Sequence, residues 1–108
     1  MSLRLYNTLT NRVEEFKEIE KGKVGLYTCG PTVYDTAHIG NFRSFAFEDL
    51  VTRYFIYRGY KVFHIMNLTD VDDRTIKKAE DQKVSLSDIT EKYTGIFFKD
   101  LETLNIVK

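Results

Sequence analysis

The stretch from Lys23 to Met66 most constrains what this chain can become. Lys23-Val24-Gly25-Leu26-Tyr27-Thr28-Cys29 has few positions on either face that need water, the pattern of an interior strand in a parallel sheet. Gly30-Pro31 cannot continue a regular ladder and ends the run. After a loop over Thr32 to Ala37, a long helical pattern opens near His38 or Gly40. Its apolar positions Phe42, Ala46, Leu50, Tyr54 and Tyr57 recur at helical spacing, and Phe45, Val51 and Phe55 widen the stripe. Arg53 and Arg58 suit the negative C-terminal end, and Gly59 is placed to stop the helix. Tyr60 to Met66 is a second, mostly apolar run. Two parallel strands need a long crossover between them, and the helix supplies it. The chain is therefore of the α/β class, built on a βαβ unit.

The flanks add smaller elements. Leu3 to Tyr6 and Arg12 to Phe16 alternate around a turn-rich Asn7 to Asn11, which predicts an N-terminal β-hairpin. Asn67-Leu68-Thr69-Asp70 ends the second parallel strand and begins another helix, with Thr69 or Asp70 as its N-cap and Asp72 and Asp73 in its first turn. Ser85 to Asp88 offers a further capping pattern. Leu86, Ile89, Tyr93, Phe97, Leu101 and Leu104 then mark a third helix, whose pattern runs almost to Lys108 with no stop, as in a truncated chain.

Composition excludes several classes. At 108 residues there is room for one domain. A single cysteine makes no internal disulfide, and no apolar run approaches a membrane span or a signal-peptide core. Sixteen basic residues balance sixteen acidic ones, so the sequence as a whole has no strong pull toward nucleic acid. These features predict a soluble cytoplasmic domain with no membrane partner.

The segment from Tyr27 to Asn41 carries the chemistry. A tight loop after a buried strand, feeding a helix N-terminus, is where doubly wound sheets bind nucleotides. Unpaired backbone N–H groups and the positive end of the helix dipole favour phosphate oxygens there. Gly40 allows a ligand close to the backbone, and His38 could hydrogen-bond phosphate oxygens or serve a purely structural end.

His38-Ile39-Gly40-Asn41, within that longer run, resembles the signature of class I aminoacyl-tRNA synthetases, specifically the cysteinyl-tRNA synthetase family. Leu5-Tyr6-Asn7-Thr8-Leu9-Thr10 is similar to that family's opening strand. Arg58-Gly59-Tyr60-Lys61-Val62 and Asn67-Leu68-Thr69-Asp70-Val71-Asp72-Asp73 resemble its next landmarks in order and spacing. The resemblance covers essentially the whole chain. It implies a partial Rossmann-like fold, with residues 1–108 forming the N-terminal portion of a catalytic domain whose remaining half and tRNA-binding region lie beyond Lys108.

The resemblance also implies a reaction. ATP, with Mg2+, and L-cysteine form cysteinyl-adenylate and pyrophosphate, and the acyl group passes to tRNA(Cys). Pro31, Thr32, Val33, Tyr34, Asp35, Thr36, Ala37, His38, Ile39, Gly40 and Asn41 are the implied ATP-binding residues, with His38 and Asn41 catalytic. Asn41 stands where many class I enzymes have His; it can still donate a hydrogen bond but carries no charge. Gly30, Thr32 and Thr69 are implied to contact the substrate cysteine, and Cys29 to be one ligand of a zinc ion. Zinc separates a thiolate from a hydroxyl far better than an apolar pocket can.

Each assignment has a plainer alternative. Cys29 could be a small buried hydrophobe, Thr69 a helix cap, and His64 a packed or hydrogen-bonded core histidine. Asp70, Asp72 and Asp73 could hold magnesium or simply favour a helix start. The other zinc ligands, and a Lys-rich signature loop that completes the ATP site, are expected beyond Lys108. The 108 residues alone are therefore expected to be inactive, without a high-affinity zinc site, and to self-associate through an uncovered sheet face. The full-length enzyme is expected to be a monomer. A cysteine ligase of mycothiol synthesis and a non-catalytic nucleotide-binding module are the competing readings.

Overall fold

The computed structural model describes residues 2–106, so the chain end at Lys108 lies outside the described residues. Seven elements follow one another: β1 (Arg4–Asn7), β2 (Arg12–Glu15), β3 (Lys23–Thr28), α1 (Ile39–Tyr57), β4 (Lys61–Met66), α2 (Asp73–Gln82) and α3 (Leu86–Thr103). The hairpin pairs antiparallel, Arg4 opposite Glu15 and Asn7 opposite Arg12. The pair β3 and β4 runs parallel, from Lys23 opposite Lys61 to Thr28 opposite Met66, with α1 as the crossover. The expected hairpin, βαβ unit and trailing helices are all present.

The sheet is covered on one face only. Val24, Leu26 and Thr28 alternate with exposed neighbours, as do Val62, His64 and Met66. On the other face Tyr27, Phe63 and Ile65 are 65%, 55% and 63% exposed, so β3 is parallel as expected but not interior. The reason is simple. Among the described residues this sheet has two strands and one covering helix, whereas an apolar alternation on both sides anticipates a second layer.

Helix α1 is rotated from the expected stripe. Its buried residues are Phe45, Thr52 and Phe55, while Leu50 and Tyr57 stand in solvent. Aromatic and aliphatic side chains surround this helix on nearly every side, so spacing alone does not select which stripe packs. Its end is as expected: Gly59 adopts a left-handed φ of 90°, and Tyr60 N–H donates to Phe55 C=O at 3.0 Å.

Helix α3 buries Ile89, Tyr93, Phe97 and Leu101 and joins two clusters. Ile89 and Tyr93 meet Val33 and Ala79, while Phe97 and Leu101 meet Phe45, with Phe42 and Met66 against them. Contrary to the sequence expectation, α3 does have a stop. Asn105 takes a left-handed φ of 55°, and Ile106 N–H returns to Leu101 C=O at 3.0 Å. Leu104, whose position continues the apolar spacing, is the cap residue and is exposed. Arg53 reaches this turn, donating to the Asn105 carbonyl at 2.6 Å instead of serving the end of α1.

Phe16, just after β2, anchors the hairpin. Its ring packs edge-on against Phe55 at 5.0 Å and Tyr60 at 6.3 Å. This thin attachment makes the molecule long, 55 × 30 × 24 Å.

Candidate active site

The sheet does not end where its two strands end. Gly30 N–H donates to Asn67 Oδ1 at 2.6 Å, Thr69 N–H to Pro31 C=O at 3.0 Å, and Val33 N–H to Thr69 C=O at 3.0 Å. A parallel bridge between Thr32 and Thr69 results, four residues past the end of β3. The two threonines expected near one ligand are thus brought together by main-chain pairing. This also explains why Thr69 does not cap α2. Its backbone is spent on the bridge, and the cap is Asp72, whose side chain accepts from Arg74 N–H at 2.8 Å. Thr75 completes the capping box, its hydroxyl oxygen accepting from Asp72 N–H at 3.0 Å.

Gly30 sits at the crossing of the two chains. A Cβ there would fall 1.9 Å from Asn67 O and 2.9 Å from Met66 Cγ, so only glycine fits.

The loop from Pro31 to Ala37 is held from both sides. Val33 is 2% exposed and buried in the core with Ala79 and Ile89, so its side chain anchors the loop and does not face a ligand. Arg74 donates to Thr32 Oγ1 at 3.1 Å and lies 5.1 Å from the centre of the Tyr34 ring. Lys78 pairs with Asp35 at 3.6 Å. Asp35 in turn accepts from Thr36 N–H at 2.8 Å.

His38 is the N-cap of α1. Its Nδ1 accepts from Gly40 N–H at 3.0 Å and from Asn41 N–H at 3.3 Å, and Asn41 Oδ1 accepts from His38 N–H at 3.1 Å. Two of the first-turn N–H groups expected to meet phosphate, those of Gly40 and Asn41, are therefore spent on the imidazole. With Nδ1 accepting, the proton of the neutral ring sits on Nε2, which becomes the donor presented to solvent. Gly40 matters for the same reason: a Cβ there would lie 2.9 Å from His38 Cε1. Asn41 keeps its amide NH2 after its oxygen is used. Ile39 is 89% exposed beside them.

The family model described as tRNA synthetases class I (C) catalytic domain matches residues 15–108. The chain belongs to this family. Among its relatives, a cysteine–tRNA ligase from Brachyspira hyodysenteriae is 53% identical over 103 residues, 95% of this chain and 22% of the relative. One from Methanosarcina mazei is 51% identical over 104 residues, 96% of this chain and 22% of the relative. One from Chlamydia trachomatis serovar D is 53% identical over all 108 residues, again 22% of the relative. The chain thus spans about a fifth of the length of the curated relatives it matches.

Cys29, the family's implied zinc ligand here, is an exposed free thiol at the end of β3. It is open to an ion, unlike the buried hydrophobe that a free cysteine often is. Among the described residues, no three His, Cys, Asp or Glu side chains gather where they could hold a metal ion. Asp72 is occupied by the cap and by Arg74, which holds its carboxyl below the usual range.

His64 is hydrogen-bonded through Nε2 to Thr28 Oγ1 at 2.8 Å. Glu48 of α1 approaches the same threonine. Burial pushes its carboxyl up, against the pull of Thr28 and His64, and its Oε2 is buried with no hydrogen-bond partner among the described residues.

Three residues that order this site escaped sequence reasoning: Asn67, Arg74 and Lys78. The spacing of Arg74 and Lys78 by four places them on one face of α2, a signal that was legible. Asn67 gave none, because a strand-ending Asn more often marks a turn. A half-open concavity lined by Leu3, Phe16, Tyr54 and Phe55 lies between the hairpin and α1, away from all of these residues.

Proposed function

We propose that this segment supplies the first half of a site that activates L-cysteine with ATP, for transfer to tRNA(Cys). The observation that carries the reading is the locked imidazole of His38, whose Nε2–H is a fixed donor beside an open helix start. A fixed donor of this kind stabilises the charge that grows on phosphate oxygens as pyrophosphate leaves. Asn41 assists with its free amide NH2. Pro31 to Ala37 shape the edge along which ATP, with Mg2+, is held, in a partial Rossmann-like arrangement. Gly30 and the bridged pair Thr32 and Thr69 border the substrate cysteine.

Cys29 serves as one zinc ligand, and the rest of the longer polypeptide provides the others. Zinc, when bound, supplies a soft centre that takes a thiolate in preference to a hydroxyl. Residues 1–108 form the N-terminal portion of the catalytic domain and do not charge tRNA by themselves. The exposed Tyr27, Phe63 and Ile65 support self-association of the isolated segment, and the longer enzyme acts as a monomer. Among the described residues, no helix is long and apolar enough to cross a membrane. The cytoplasm is the compartment that provides ATP and tRNA together.

The test is ATP–pyrophosphate exchange, with cysteine and with serine, on the gene product extended to its natural stop codon. Exchange that needs cysteine and ignores serine is expected, with tRNA as the acceptor. Transfer to an amino sugar would instead make it a mycothiol-type ligase. Nucleotide binding without exchange would reduce it to a binding module.

A further inference from the structure

We propose that Arg74 is a positioning residue for the reaction, one that fixes which atom of the Thr32 hydroxyl is offered to substrate. This rests on the reading of Thr32 as a substrate-cysteine contact. The guanidinium is itself held. Its Nε donates to Asp72 Oδ1 at 3.0 Å, and Asp72 is fixed as the N-cap of α2. Its Nη2 then donates to Thr32 Oγ1 at 3.1 Å, and its Cζ lies 5.1 Å from the centre of the Tyr34 ring. One turn further along the same helix face, Lys78 holds Asp35 at 3.6 Å. Helix α2 thus grips the loop through two cations, at its second and its sixth residue.

The chemistry follows from what arginine lacks. A guanidinium has donors and no acceptor, so Thr32 Oγ1 must accept from it. The threonine O–H is then directed away from α2 as a donor, suited to an acceptor such as the carboxylate of an amino-acid substrate. Without Arg74 the hydroxyl rotates freely, and its proton is spread over several directions. Lysine at this place keeps a cation over Tyr34 but loses the planar fork that reaches Asp72 and Thr32 together.

The experiment uses the gene product extended to its natural stop codon. Arg74→Ala is expected to raise the cysteine KM of ATP–pyrophosphate exchange roughly tenfold, with kcat and the ATP KM within about twofold. Arg74→Lys should restore part of the loss. In a Thr32→Val background, Arg74→Ala should have no further effect on the cysteine KM, since both changes remove one interaction. Additive losses, or an unchanged cysteine KM, overturn the proposal. Hydrogen exchange over residues 31–37 gives a readout that needs no activity. It should accelerate in Arg74→Ala while α1 and α3 keep their protection, and an unchanged loop overturns the clamp. A loosened loop in a protein whose wild type shows no cysteine-dependent exchange keeps the clamp and overturns the functional reading instead.

Discussion

Replacing Gly30 by alanine places a methyl group 1.9 Å from the carbonyl oxygen of Asn67 and 2.9 Å from Met66 Cγ. The methionine is flexible and can withdraw. The carbonyl belongs to the backbone that carries β4 into its bridge, so the two chains must separate by about 1 Å or more before the contact is tolerable. That separation also breaks the hydrogen bond from Gly30 N–H to Asn67 Oδ1, now 2.6 Å. Overpacking of this kind costs about 1–3 kcal/mol, and the lost bond about 1 kcal/mol more. Together they predict a loss of about 3 kcal/mol, or on the order of 10 °C or more in melting temperature for a domain of this size. Gly25→Ala is the internal reference. It changes the same residue type in β3, but its new Cβ meets nothing within 4 Å, so it should be neutral or stabilise by about 0.5 kcal/mol. Urea unfolding followed by circular dichroism compares the two. If both variants unfold within about 0.5 kcal/mol of each other, the tight crossing of the strands is not what demands glycine at position 30.

Three further outcomes are expected. His38→Ala should lose about 1 kcal/mol of stability with the cap of α1 and lower pyrophosphate exchange at least ~100-fold. His38→Asn should keep the stability, because asparagine caps well, yet still lose exchange; recovery of exchange would show that the ring itself is dispensable. Glu48 binds its proton more tightly folded than unfolded, so its contribution is complete below the ordinary carboxylate range and is lost as pH rises through the raised folded value. Glu48→Gln should therefore have a higher urea midpoint than wild type at neutral pH and no such advantage near pH ~4, where glutamate is largely protonated anyway; an equal gain at both would exclude the carboxylate charge as the cause. Tyr27→Lys combined with Ile65→Lys should leave the 108-residue segment monomeric in sedimentation velocity where the parent associates, and a monomeric parent would remove the sheet face as an interface.

Much of this molecule was legible from spacing. Gly30-Pro31 and Gly59 ended β3 and α1 as backbone chemistry requires, and the positions Ile89, Tyr93, Phe97 and Leu101 matched the buried face of α3. What failed did so where several local solutions have similar energy. Apolar residues ring α1, so periodicity did not choose Phe45 and Phe55 over Leu50 and Tyr57. Thr69, Asp70 and Asp72 can all cap a helix, and the choice of Asp72 follows from a strand bridge that only the tertiary fold reveals. Asn105 stopped α3 because it tolerates a left-handed backbone, a property hidden by the apolar residues on either side of it. At the candidate site the sequence marked the residues at the loop edge, but not the cations of α2 behind them. Their role depends on a contact between Thr32 and Arg74, 42 positions apart.

The capping of α1 by His38 has a consequence for the kind of catalyst this segment can provide. A histidine general base must accept a proton on a ring nitrogen whose lone pair is available. Here Nδ1 is occupied by two backbone donors, so turning the ring or moving its proton to Nδ1 would give up the cap of a helix of 19 residues, at a cost of about 1 kcal/mol. The imidazole is a fixed electrostatic fixture. A step that requires a base is better served by a group that is not committed to a helix cap.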